Sequence, residues 1–136
     1  MLIVDAGPLY AASARRDRNH ERCVELLSTA SRPLLVPALV VTEVAYLLAD
    51  RLGAAAELAF ANAIRSGELA VEPVDGTDWD RVVALMERYN DLPLGMVDAS
   101  VIALTERLGA DTVATLDHRH FEVVRPRHVQ RLHLVP

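Results

Sequence analysis

Four acidic residues lie at positions in this sequence where the predicted surroundings are apolar and a charge is unfavourable. Asp5 and Asp117 each follow a short apolar run that predicts a buried strand, and Asp98 and Glu43 lie on predicted helices among apolar residues at helical spacing. An ionised carboxylate against apolar surroundings is costly unless a cation or a hydrogen-bond donor meets it. We therefore expect the four carboxylates to meet at a metal ion.

The chemistry of such a cluster follows from its ligands. Carboxylate oxygens suit Mg²⁺ and Mn²⁺, and Mg²⁺ commonly keeps several waters while using few carboxylates together with substrate phosphates. Without a cation, clustered carboxylates repel one another and some hold protons at neutral pH. Acidic residues around Mg²⁺ can activate water and stabilise the charge of an in-line phosphodiester displacement, so the pattern indicates a phosphodiester hydrolase.

The elements that must position these residues alternate along the chain. Apolar runs predict strands and helical periodicity predicts helices, an order typical of a three-layer α/β/α domain with a mainly parallel central sheet. In such sheets ligands bind at the carboxyl ends of the strands. The predicted strands cover residues 2–4, 34–36, 69–71, 112–116 and 121–124, with an edge strand in the tail, and the predicted helices cover residues 9–15, 20–30, 38–52, 54–64, 75–89 and 96–108.

Composition restricts the class of protein. The chain has 136 residues, 51% of them hydrophobic, and a mean hydropathy of +0.18, which predicts a single domain over residues 1–136. One cysteine excludes an internal disulfide, and no apolar run reaches the roughly 18 residues of a membrane span. The start of the chain lacks a basic flank, so we expect a cytoplasmic protein without a signal peptide. The net charge of −5 argues against a uniformly basic nucleic-acid-binding surface.

The ordered set of acidic motifs resembles a known family. Together the motifs resemble the PIN-domain ribonucleases, specifically the VapC toxins of toxin–antitoxin pairs, and the resemblance extends over essentially the whole chain. The motifs are a hydrophobic strand ending in Asp5, Thr42-Glu43 on a helix, Val97-Asp98-Ala99 opening a later helix, and Thr115-x-Asp117 with Phe121 four residues after Asp117.

The resemblance implies an Mg²⁺- or Mn²⁺-dependent ribonuclease that cuts structured or messenger RNA and is silenced by a VapB-type antitoxin. It makes Asp5 and Asp98 the direct metal ligands. Glu43 and Asp117 complete the cluster, where they hold the metal or its waters.

One feature departs from the family pattern. The family often has a hydroxyl residue one or two positions after the first Asp, whereas Asp5 is followed by Ala6 and Gly7. Ser100 can supply a hydroxyl instead, and Thr115 is expected to orient Asp117 from outside the ligand set.

Three of the four acidic residues also have a purely structural explanation. Asp98 can serve as a helix N-cap, and Asp117 can form a turn. Glu43 can pair with a buried arginine such as Arg51 or Arg107. The metal hypothesis is preferred because it explains all four residues together, in family order.

Other groups near the motifs have weaker claims. The Asp-His-Arg-His run at residues 117–120 lacks a further Cys or His at ligand spacing, so we interpret it as a loop beside the acidic cluster rather than a transition-metal site. Asp91 is not expected to be a ligand. The arginines of the tail either grip RNA phosphates or form a solvated surface; they are Arg119, Arg125, Arg127 and Arg131.

Two alternatives to a nuclease toxin were weighed. A PIN-like RNA-binding module would bind metal without cleaving RNA. An aspartyl-phosphate phosphatase would need a second Asp where Gly7 stands, and a Lys, which the chain lacks.

The helix pair over residues 38–64 is apolar on several faces, which fits a homodimer surface, an antitoxin surface or core. On the helix over residues 75–89, the residues expected to face inward are Trp79, Val82, Val83 and Met86, and those expected to face outward are Asp80, Arg81, Glu87 and Arg88.

Overall fold

Five short strands form one parallel sheet in a computed structural model of the chain, which describes all 136 residues. Their spatial order is β3-β2-β1-β4-β5, and every neighbouring pair is parallel. The strands are β1 (Leu2–Val4), β2 (Leu34–Pro37), β3 (Leu69–Glu72), β4 (Thr112–Ala114) and β5 (His133–Val135).

Seven helices cover the sheet. The residues of β1 and β2 are all buried, as expected for strands packed on both faces, so the predicted three-layer α/β/α architecture is confirmed. None of the helices has the length and apolar content needed to cross a membrane. The helices are α1 (Ala6–Ser13), α2 (His20–Thr29), α3 (Ala38–Arg51), α4 (Ala54–Arg65), α5 (Gly76–Arg88), α6 (Met96–Leu108) and α7 (His118–Val123).

The strand order reverses beside β1. The chain proceeds from β1 outward through β2 and β3, and then returns to place β4 and β5 on the other side of β1. Loops after β1 and β4 therefore leave the sheet in different directions and open a crevice between them, which is where open α/β sheets bind ligands. The first turns of α1 and α3 and the N-terminus of α6 lie at this same edge, because each helix runs antiparallel to its neighbouring strand.

Gly7 brings the start of α1 against the end of β4. A Cβ atom at Gly7 would lie 3.1 Å from the Cβ atom of Leu116, a contact that requires one side to move. The helix already begins at Ala6 rather than at the predicted residue 9, so Gly7 and Pro8 lie in its first turn. The absent side chain therefore allows the two loops of the crevice to approach each other.

The predicted strand over residues 121–124 is wrong, since this segment belongs to α7. Phe121 and Val124 are 1% exposed, whereas Glu122 and Val123 between them are exposed, which is helical spacing rather than strand alternation. Asp117 caps the helix by accepting a hydrogen bond from the Arg119 amide at 3.3 Å. The predicted edge strand in the tail is present as β5.

The predicted orientation of α5 is partly wrong. Trp79 and Val83 are 40% and 53% exposed, whereas Val82 is buried as predicted, and the helix also buries Leu85. Arg81, expected to face outward, makes a two-point salt bridge with Glu106 of α6. A charge at the interface between α5 and α6 needs a partner, so the pairing of Arg81 with Glu106 orients this face of α5 toward α6.

The same interface holds a second arginine. Arg107 of α6 pairs with the buried Asp78 of α5 and with Glu72 of β3. It also donates a hydrogen bond to the carbonyl of Pro73. The two arginine pairs fix α5 against the C-terminal half of α6.

The helix pair formed by α3 and α4 is only partly core. Val40, Val44 and Leu48 of α3 are fully buried. Tyr46 and Leu58 remain 69% and 62% exposed, so the pair also presents apolar residues to solvent.

Gly7→Val is expected to lower the free energy of unfolding by about 1–3 kcal/mol, because the added methyl groups overlap Leu116. Gly76→Val at the start of α5 is the matched control, since no atom lies within 4 Å of an added Cβ there. Its effect should stay within about 0.5 kcal/mol. Urea denaturation of both variants measures the difference, and equal losses would contradict the proposed close contact.

Candidate active site

Asp5 lies at the reversal of strand order, where it joins β1 to β4. Its backbone amide donates to the carbonyl of Ala114 at 2.9 Å, which extends the ladder between the two strands. Its side chain is buried at 8% exposure and accepts a 2.9 Å hydrogen bond from the hydroxyl of Thr115, just after β4. Thr115 therefore supplies the hydroxyl that the sequence lacks directly after Asp5.

Thr115 also shapes the loop that carries Asp117. Its hydroxyl oxygen accepts from the backbone amide of Asp117 at 3.2 Å. The hydroxyl thus bonds the carboxylate of Asp5 and only the backbone of Asp117, whereas the sequence predicted that it would orient the Asp117 side chain.

Asp98 lies in the first turn of α6 and points to α7. The N-cap of that helix is Gly95, so Asp98 is not the cap that its alternative explanation required. One of its oxygens, Oδ2, lies 2.6 Å from Nδ1 of His120 on α7. Both side chains are mostly buried, at 23% exposure for Asp98 and 13% for His120.

Glu43 and Asp117 are the two exposed members of the set. Glu43 lies on α3 beside the exposed Thr42, so its surroundings are less apolar than its sequence neighbours suggested. Asp117 is exposed at the N-cap of α7. The carboxylates therefore range from the buried Asp5 through the half-buried Asp98 to these two at the surface.

The charges of the four residues act on one another. Burial raises the pKa of Asp5 above 3.8, hydrogen bonds from the Ala6 amide and the Thr115 hydroxyl oppose the rise, and the charges of Asp98 and Asp117 add to it. The structure thus brings Asp5, Asp98 and Asp117 within electrostatic reach of one another.

Glu43 belongs to the same electrostatic group. Partial desolvation raises the pKa of Glu43 above 4.5, and the charges of Asp5 and Asp98 raise it further. The alternative partners for Glu43 are engaged elsewhere, because Arg107 pairs with Asp78 and Arg51 stacks over the Tyr10 ring. No arginine forms a salt bridge with any of the four carboxylates.

The donor atoms fit a hard divalent cation. All four side chains offer carboxylate oxygens, and no cysteine joins them. No three Asp, Glu, His or Cys side chains are grouped closely enough to form a complete ligand set by themselves. The chemistry of the carboxylate donors matches Mg²⁺ or Mn²⁺, which commonly keep several waters beside few protein ligands.

Two other predicted positions lie apart from the carboxylates. Ser100 donates its hydroxyl to the carbonyl of Val97, in its own helix, at 2.6 Å. Asp91 is exposed in the loop before α6 and makes no hydrogen bond or salt bridge. Neither side chain contacts the group formed by the four acids.

The sequence interpretation placed the run at residues 117–120 beside the acidic cluster but gave His120 no role in the site. Residues 118–120 were interpreted as a loop, so no face could be assigned to them. Helical spacing was the available signal, because Phe121 and Val124 fall on one side of a helix and place His120 beside the buried face.

The chain is similar in sequence to a known family and to a known protein. The PIN domain family matches residues 2–126. Ribonuclease VapC26 of Mycobacterium tuberculosis is 29% identical over 135 residues, which is 99% of this chain and 100% of that protein.

Solved structures share the fold. The crystal structure of VapC20 from Mycobacterium tuberculosis, described as a sarcin-ricin loop cleaving toxin, has a TM-score of 0.75 at 24% identity over 83% of this chain and 87% of its own. The structure of FitAcB from Neisseria gonorrhoeae has a TM-score of 0.66 at 14% identity, over 100% of this chain and 97% of its own. At these identities the likeness concerns the fold.

In EDTA, Asp5→Asn is expected to gain thermal stability relative to the wild type as pH rises from about 4.5 to 7.5. The folded pKa of Asp5 is raised, so its contribution to stability is complete below about 3.8 and is lost as pH rises through the folded value. Asparagine keeps the size and an acceptor oxygen for Thr115 but carries no charge.

Thermal unfolding at several pH values measures the difference in Tm between variant and wild type. Asp80→Asn, an exposed substitution on α5, is the control, and its difference should change little. A difference for Asp5→Asn that falls as pH rises would mark Asp5 as a stabilised charge and contradict the electrostatic account.

Proposed function

This chain belongs to the PIN domain family, and from that membership we propose that it is a metal-dependent endoribonuclease, the VapC-type toxin of a toxin–antitoxin pair. The observation that carries the proposal is the mutual charge coupling of four carboxylates at the reversal of strand order, without an arginine to neutralise them. A set of like charges is retained against its cost in stability where function requires it. Similarity to a protein named a ribonuclease supports RNA as the substrate.

The proposed ligands follow from burial and hydrogen bonding. Asp5 and Asp98 would hold Mg²⁺ or Mn²⁺, because each is already oriented by one donor, the hydroxyl of Thr115 or the ring of His120. Glu43 and Asp117 would complete the set from the solvent side. When bound, the divalent cation supplies charge neutralisation at the phosphate and lowers the pKa of water.

The residues of the chain contribute position rather than covalent chemistry. The Thr115 hydroxyl and the Ala6 amide hold the carboxylate of Asp5 in place. The exposed Glu43 and Asp117 face the solvent from which RNA and water arrive, and the raised pKa of Glu43 suits a proton acceptor. Arg119, exposed on α7 two residues after Asp117, is placed to meet a substrate phosphate.

Purified protein is expected to cleave RNA in Mg²⁺ or Mn²⁺ and to lose cleavage in EDTA. Asp98→Asn should reduce the rate about 100-fold or more, since it removes a charge that would hold the cation. Asp80→Asn on α5 should retain the rate. Asp80 lies beside Arg81, which pairs with the C-terminal end of α6, whereas Asp98 lies at the N-terminal end of that helix. Gel-based cleavage of a labelled RNA measures all three.

Two results would overturn the assignment. Cleavage that persists in EDTA and survives Asp98→Asn would show that the acidic group does not carry the reaction. Tight RNA binding without products would favour the PIN-like RNA-binding module.

In cells, induced expression should arrest growth for the wild type and for Asp80→Asn, but not for Asp98→Asn.

The partner proposed for this toxin is a VapB-type antitoxin. An apolar groove of about 390 Å³ between α1, α2 and α4 supports this, since such a groove suits the apolar face of a partner helix. Exposed Tyr46 and Leu58 support a further apolar contact, between two copies of the chain. The lining of the groove includes Leu9, Ala12, Val24, Leu27, Phe60 and Ala63.

Ala59→Glu is expected to weaken antitoxin binding at least about tenfold, because Ala59 lines this groove and an unpaired charge opposes an apolar partner. Ala61→Glu on the same helix is the control, since Ala61 is exposed and lies outside the groove. Co-purification with the protein of the neighbouring open reading frame measures the difference. RNA cleavage should be equal in both variants, and equal antitoxin binding would remove the groove as the partner surface.

A further inference from the structure

His120 joins α7 to the acidic group through a short hydrogen bond. Its Nδ1 atom lies 2.6 Å from Oδ2 of Asp98, and its side chain is 13% exposed. The two residues come from different helices, so the contact is tertiary and depends on how α7 packs on α6. None of the motifs that identify the site includes this residue.

The neighbour of the ring settles which nitrogen carries the proton. Nη2 of Arg119 lies 3.3 Å from Nε2 of His120. A guanidinium group has only donors, so Nε2 accepts this hydrogen bond with its lone pair. The carboxylate of Asp98 offers only acceptors, so Nδ1 carries a hydrogen and donates it to Oδ2 of Asp98.

The position of the ring is set by the core rather than by the site. Phe121, the next residue, is 1% exposed within the hydrophobic core, and Val124 one turn later is equally buried. Asp117 caps the other end of α7 by accepting from the Arg119 amide. A helix held at both ends keeps the imidazole in one place while its neighbours titrate or bind ligands.

We propose that His120 is a positioning residue that holds one oxygen of Asp98 and leaves the other free for a divalent cation. The inference rests on the proposed function of the acidic group. Carboxylates that bind metals are commonly oriented by such donors, and loss of the donor typically weakens metal binding 10–100-fold. Arg119 acts through the ring, since its donated hydrogen bond fixes the tautomer that presents Nδ1–H to Asp98.

Two substitutions separate positioning from packing. His120→Leu keeps an apolar side chain of similar reach but has no donor. His120→Asn places an amide nitrogen near the position of Nδ1 and can donate to Asp98. His133→Leu, on the exposed surface of β5, is the control for loss of a histidine.

The first measurement is Mn²⁺ binding by calorimetry in the absence of RNA. His120→Leu should bind Mn²⁺ about 10–100-fold more weakly than the wild type, His120→Asn within about threefold, and His133→Leu equally. The Tm of each variant and of the wild type in EDTA is measured beside the Mn²⁺ affinity. Equal weakening in His120→Leu and His120→Asn would overturn the proposal, because only packing would then matter.

Three other outcomes also test the positioning role of His120. Nitrogen hyperfine coupling to Mn²⁺ in the wild type, lost in His120→Leu, would overturn the proposal by making His120 a direct ligand. A wild type that binds no Mn²⁺ would overturn it as well. If the Mn²⁺ affinities follow the expected order but no RNA is cleaved, the positioning role stands and the proposed ribonuclease function fails.

Discussion

The structure depends on a buried carboxylate at the point where the strand order reverses. Asp5 is 8% exposed, and one hydroxyl, that of Thr115, reaches its side chain across the crevice. Burial raises the pKa of Asp5, so an ionised group there is maintained at a cost in stability. This hydrogen bond joins β1 to the loop after β4, which α1 also approaches through the contact of Gly7 with Leu116.

The distribution of arginine shows how the chain separates stability from chemistry. Arg81 and Arg107 pair with acids at the interface of α5 with the C-terminal half of α6, where paired charges hold two helices together. Asp98, at the other end of α6, has a histidine and no arginine. An arginine at the acidic group would satisfy the carboxylates permanently and compete with a divalent cation. One helix thus carries fully paired charges at one end and incompletely paired ones at the other.

The short helix α7 connects the core to the candidate active site. Phe121 anchors it among buried residues, and the residues before Phe121 face the acidic group. Asp117 is both a helix cap and a member of that group, so its structural explanation and its functional one hold together. A side chain at the end of a helix can cap with one oxygen and keep the other available.

The sequence by itself determined the alternation of strands and helices, the ends of most elements and the four acidic positions. These are properties of short segments: periodicity distinguishes helix from strand, and apolar runs place acids at strand ends. The family resemblance rests on the same ordered acids.

Only the tertiary structure decided the partners of those acids. Thr115 and Asp5 are 110 positions apart, and His120 and Asp98 are 22 apart on two helices, so no local pattern encodes either bond. The exposure of Glu43 and the rotation of α5 toward Arg81 likewise depend on what each helix packs against. Local periodicity specifies which element forms, whereas the packing of distant elements specifies which side chains meet.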